Sequence, residues 1–193
     1  MVTLYTWFPS TPVEVITLGL LPDLGHSTLQ VVDESGSETY VSFWPDPSTL
    51  VGTFTHHFHS PPTRFPPTYA DEIDPAGRYM RRPSEESDII EGLDEKRIVT
   101  GWKALSDSHY DIRHWNCSDV TKFLILHAMD ERYYEFLEVA ARLTVTDMTK
   151  ISSFQQVRAI AQFLATRNYM STRPSDVTHL ARVYNRIYAA AEG

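Results

Sequence analysis

Apolar and polar residues alternate along "VTLYTW" (2–7), the period-two pattern of a half-buried β-strand. The pattern returns in "HSTLQVV" (26–32) and "TYVSFW" (39–44), on either side of "DESGSE", whose Asp, Ser and Gly are turn formers. Together they predict a hairpin. With its turn centred near Ser35–Gly36, the register puts His26 opposite Trp44, Pro45 or Asp46. Residues 45–88 hold most of the chain's 12 prolines and few periodic apolar positions. They predict a long irregular excursion with one further strand around Arg78–Arg82. A loop of that length in a compact domain is often a lid or binding segment.

After residue 90 the period becomes helical. "LDEKRIVTGWKALSD" offers Asp94 as N-cap and sets Ile98, Trp102 and Leu105 on one face. Beyond Cys117, Val120, Phe123, Leu124 and His127 share a second apolar face. "ERYYEFLEVAARL" extends that helix or follows a break at Asp130. Ser153 and Gln156 make a capping-box pattern ahead of Val157, Ile160, Ala161 and Leu164. Ser175 is the expected cap of a last helix striped by Val177, Leu180, Ala181, Tyr184, Ile187 and Tyr188. Strands first and helices later predict an α+β fold. The expected organisation is a single domain over 1–193: a strand region (1–44), a long loop or lid region (45–90) and a helical region (91–193).

Composition narrows the function classes. At 193 residues with 42% hydrophobic content, the chain suits one domain with a substantial core. A net charge of -8 argues against a nucleic-acid-binding surface. The longest apolar stretch, "FLILHAM", is far below the ~20 residues of a membrane span, so no integral membrane segment is expected. The first residues lack the basic start and apolar run of a signal peptide. The expected location is therefore cytoplasmic, or outside the cell after export without such a peptide. One cysteine excludes an internal disulfide framework.

That cysteine, Cys117, stands where a helical pattern begins, behind Asn116 as a plausible N-cap. The positive end of the helix dipole and its unpaired N–H groups favour thiolate over thiol, and the same groups can hold an oxyanion. A nucleophilic sulfur needs a base. His109 and His114 are too close in sequence to come from a separate element, His127 lies on the apolar face, and His179 is expected at the surface. His57 and His59 have strand-like spacing, but nothing nearby completes a zinc signature. His26 follows Gly25 at the start of the hairpin's first strand, where an imidazole projects from a rigid edge. Asp46, across the hairpin, is placed to orient it.

The blocks "GHSTLQVVDESGSETYVSFWP" (25–45) and "GLDEKRIVTGWKALSDSHYDIRHWNCSDV" (92–120) together resemble the circularly permuted papain-like thiol enzymes. That clan includes permuted NlpC-type peptidases, relatives of lecithin retinol acyltransferase and Rho-inactivation-type acyltransferases, and in it histidine precedes cysteine. The resemblance implies a permuted papain-like domain, with Cys117 as nucleophile and His26 as general base and acid. For the third position it offers Asp46 or Ser42 on the strand after histidine, or an aspartate in "YADEID" (69–74), with Asp71 before Asp74. The chain from about residue 131 onward matches nothing in that clan.

The expected activity is a cysteine hydrolase or acyltransferase passing through a thioester on Cys117. Its substrate would be a protein, a peptide or an acyl chain, with no cofactor or metal. Trp44, Phe54, Phe58 and Phe65 would supply an apolar groove or ordinary core. Two rivals remain at this point: a non-catalytic protein-interaction module on the same fold, and a metal hydrolase built on His56, His57 and His59.

Overall fold

Alternation along β1 (Val2–Trp7) divides its side chains between two layers. The computed structural model describes residues 1–8, 25–44, 59–60, 66–77, 80, 82–105, 108, 110–111, 115–133 and 173–192. Val2 and Leu4 enter the main core, and Thr6 bonds to Thr178 on the last helix. Tyr5 and Trp7 point to the other face. β1 is central in a four-stranded antiparallel sheet ordered β3-β2-β1-β5, with β2 at His26–Val32, β3 at Glu38–Val41 and β5 at Glu86–Ile90. The expected hairpin is β2–β3, in register from Leu29↔Val41 to Val32↔Glu38. A short pair, β4 (His59–Ser60) with β6 (Tyr110–Asp111), stands apart from this sheet.

Three helices cover one face: α2 (Glu95–Leu105), α3 (Cys117–Ala128) and α4 (Pro174–Glu192). The core joins Leu4, Leu29 and Val41 to Ile98, Leu124 and Leu180 across that boundary. A short helix, α1 (Tyr69–Ile73), lies against the opposite face, where Tyr69 stacks on Tyr5 at 4.1 Å. The fold is α+β, as the order of periodicities predicts. Among the described residues, no helix is long and apolar enough to cross a membrane.

The structure corrects several local expectations. Of the strand expected around Arg78–Arg82, Arg78, Tyr79 and Arg81 fall outside the described residues; the strand that closes the proline-rich region is Glu86–Ile90, paired with β1 from Val2↔Ile90 to Thr6↔Glu86. β5 escaped the hydrophobic pattern because its polarity is inverted. Glu86 and Asp88 face α4, where Arg182 reaches both at 3.0 Å, while Ile89 is 55% exposed. On α3 the buried stripe is Val120, Thr121, Leu124, Ile125 and Ala128. Phe123 and His127 are instead exposed and stack on each other. The last helix begins at Pro174, which needs no N–H partner there; Asp176 accepts the Arg173 N–H at 2.9 Å, so Ser175 is not the cap. Asp94 does cap α2, accepting the Arg97 N–H at 3.1 Å. The 153–164 pattern lies outside the described residues.

Gly92 joins β5 to α2 at φ 65°, and its carbonyl accepts the Tyr184 hydroxyl at 3.1 Å. A Cβ there would overlap the Tyr188 ring. Gly92→Ala is therefore expected to cost about 2 kcal/mol or more, from positive-φ strain plus overpacking. A thermal melt should show Tm falling by at least about 4 °C; an unchanged Tm would refute the close-approach argument.

Candidate active site

Cys117 owes its position to a reciprocal cap. The Asn116 side chain accepts the N–H groups of Ser118 and Asp119 at 2.8 and 3.1 Å, while Asp119 Oδ2 accepts the Asn116 N–H at 3.1 Å. This capping box fixes the first turn of α3 and makes Cys117 its first helical residue. As the first helical residue, Cys117 carries its N–H at the positive end of the helix, and none of the described residues accepts it. The side chain is 5% exposed.

His26 opens β2 immediately after Gly25, whose φ of 76° suits a residue without a Cβ. It pairs across the sheet with Trp7. The hairpin register, continued past Leu29↔Val41, brings Trp44 opposite on the other side, the first of the three alternatives. The imidazole consequently sits between two indoles, with centroids 5.7 Å from Trp7 and 4.2 Å from Trp44. Its Nε2 lies 3.1 Å from Ser42 Oγ and 3.1 Å from Glu72 Oε1. With Nε2 so engaged, Nδ1 is the nitrogen left to pair with Cys117, whose charge raises the His26 pKa.

The acid beside His26 is Glu72, not one of the sequence candidates. Its fully buried carboxylate accepts from Tyr40 Oη at 2.7 Å, Trp44 Nε1 at 2.6 Å and Ser42 Oγ at 3.2 Å, in addition to the imidazole. Asp71 is exposed and belongs to the cap of α1: Thr68 Oγ1 accepts its N–H at 3.2 Å and donates to its Oδ2 at 2.6 Å. Asp74 is the exposed C-cap, accepting the Ala76 N–H at 2.9 Å. Asp46 lies outside the described residues. Ser42 is beside both His26 and Glu72 and bridges them. The pattern Thr68-x-x-Asp71 is a capping signature. It accounts for Asp71 at a helix start, while Glu72, about 100° further around the helix, is the acid that is buried.

The three groups set one another's charge. Burial pulls the His26 pKa down, but the negative sulfur and the Glu72 carboxylate outweigh it and hold the imidazole at about 10. Burial pushes the Cys117 thiol up, and the attraction of His26 with hydrogen bonds from His26, the Ser27 N–H and Ser118 brings it below the ordinary thiol value. Glu72 is likewise held low, His26 overcoming its burial. The three groups form a buried row in which each neighbour favours the charged form of the next.

Of the other histidines, His127 and His179 are exposed. His56, His57, His109 and His114 fall outside the described residues, and of His59 only the backbone is described. Among the described residues no three potential ligands gather to hold a metal. Phe54, Phe58 and Phe65 also lie outside the described residues. In comparisons with known proteins, no family model, no curated protein and no solved structure matches the chain.

Proposed function

We propose that this protein is a cysteine hydrolase or acyltransferase of permuted papain-like architecture, with Cys117 as nucleophile, His26 as general base and acid, and Glu72 as the residue that orients and charges His26. One observation carries this reading: a buried imidazole held between the only thiol and a carboxylate that accepts four hydrogen bonds. A structural histidine needs neither partner. The chain order, histidine on a strand before cysteine at a helix start, is that of the permuted clan.

In the reaction the thiolate attacks an acyl carbonyl, and the Cys117 N–H donates to the oxygen as it gains charge. His26 gives its proton to the leaving amine, alcohol or thiol as the carbonyl re-forms, leaving a thioester on Cys117. The now neutral imidazole then takes a proton from water, for hydrolysis, or from an acceptor amine or hydroxyl, for transfer. Attack by that oxygen or nitrogen releases the acyl group and restores the thiolate–imidazolium pair.

Intact mass after brief exposure to peptide, ester and acyl-thioester donors should show a single acyl adduct on Cys117. The adduct should be labile to hydroxylamine and missing from Cys117→Ala. Failure of every donor class to acylate the wild-type thiol would remove the proposal's chemical basis.

A further inference from the structure

Behind the sulfur lies a second set of groups that the mechanism above does not use. Ser27 follows His26, Ser118 follows Cys117, and the two side chains meet: Ser27 Oγ donates to Ser118 Oγ at 3.1 Å. That bond uses the Ser118 oxygen as acceptor and leaves its own proton free to go elsewhere. Cys117 Sγ is 3.9 Å away, within reach for a sulfur acceptor. Both serines are 1% exposed, so water does not compete for these protons. Ser27 makes a further bond to the same helix, its carbonyl accepting Thr121 Oγ1 at 3.1 Å. One residue of β2 thus holds α3 at Ser118 and again one turn later at Thr121.

We propose that Ser27 and Ser118 form a two-hydroxyl relay ending on the Cys117 sulfur, which aims the sulfur at His26 and stabilises its charged form, so that Ser118 is a positioning residue for the nucleophile. The proposal rests on the reading of Cys117 and His26 as a working pair. Its chemistry follows from charge. A hydroxyl that itself accepts a hydrogen bond is a stronger donor, and an ionised sulfur benefits more from that donor than a neutral thiol does. When the sulfur attacks carbon it loses its charge and the bond weakens. The relay therefore enlarges the thiolate population at low pH and takes back part of the sulfur's intrinsic reactivity.

The test is the pH dependence of Cys117 alkylation by iodoacetamide, with each variant's Tm measured alongside. The charged group facing the sulfur from β2 is His26, with Glu72 of α1 behind it. On α3 itself Asp119 is nearby, turned to the Asn116 N–H. None of these changes in the variants, so a shift reports the hydroxyls. Ser118→Ala should raise the midpoint of the acid limb by roughly one pH unit, a tenfold lower rate at fixed pH on that limb. The plateau above the limb should be equal or higher. Ser27→Ala should shift the midpoint in the same direction by less, and the double variant by less than the sum. Ser118→Thr, which keeps the hydroxyl, should restore most of the shift. A merely structural serine would lower Tm or the plateau without moving the midpoint. Should Ser118→Ala fail to fold, Ser27→Ala decides the matter. Unmoved midpoints in the serine variants, alongside a moved midpoint in His26→Ala, would overturn the relay and leave the pair standing. A wild-type midpoint at the ordinary thiol value, unmoved in His26→Ala, would overturn both.

Discussion

Glu72→Gln is expected to lower acyl transfer by at least about 100-fold, while Asp71→Asn, one residue away, changes it by less than about twofold. The carboxylate of Glu72 receives donors from Tyr40, Ser42, Trp44 and His26 with no access to water. A carboxamide keeps one acceptor oxygen and turns the other into a donor, which then confronts donors. The imidazolium loses its negative partner, its pKa falls, and the thiolate it supports becomes harder to form. Breaking one side of a buried ion pair typically costs about 3–5 kcal/mol, so the melting transition should fall with the activity. Asp71→Asn removes part of an exposed cap, worth about 1 kcal/mol or less. Activity and thermal melts on the two variants give the contrast. Near-wild-type turnover in Glu72→Gln would refute its role, and so would a loss confined to Asp71→Asn.

His26→Ala should make the thiol nearly inert at neutral pH. In the wild type the sulfur is charged below the ordinary thiol range because His26 is positive beside it. Without that cation burial dominates and pushes the thiol above the ~8.5 of a free cysteine. At pH 7 a thiol titrating at 8.5 or higher is at most about 3% ionised, so alkylation should slow, by about 30-fold for a fully ionised wild-type sulfur. The direction on the alkaline side differs. His26 is raised to about 10, so its proton is retained well above the usual histidine range and lost only as pH passes that value. Acylation, which needs thiolate and imidazolium together, should follow a bell whose alkaline limb lies near pH 10 and whose acid limb lies below 8.5. The same signs apply to stability. The His26 contribution is complete below about 6.5 and disappears as pH rises through about 10; the Cys117 contribution is complete above about 8.5 and fades as pH falls through its lowered folded value. A His26→Ala protein that alkylates at pH 7 as fast as the wild type would end the pairing argument.

Much of this was legible in the chain. The alternation in 2–7 and 26–32 and the turn residues at 33–38 specify the hairpin, because a one-residue slip would reverse every buried side chain. Asp94 and the stripe Val177, Leu180, Ala181, Tyr184 specify α2 and α4 by the same kind of local rule. Cys117 at a helix start and His26 after a glycine stood out because special backbone positions and scarce reactive side chains are visible one residue at a time.

β5 and Glu72 were not legible in that way. β5 carries acids where a strand normally carries apolar residues, and Arg182, on a helix far along the chain, pairs with both of them. Glu72 and Asp71 have nearly the same chemistry. What separates them is which side of a five-residue helix meets the sheet, and so short a helix has no hydrophobic stripe to announce it. The sequence by itself determined the periodic elements and the identity of the nucleophile and base candidates, since those depend on short-range sterics and pattern. The tertiary structure alone decided which carboxylate, which indoles and which hydroxyls surround them, because charge and hydrogen bonding at a buried site depend on distances between segments that sequence spacing does not encode.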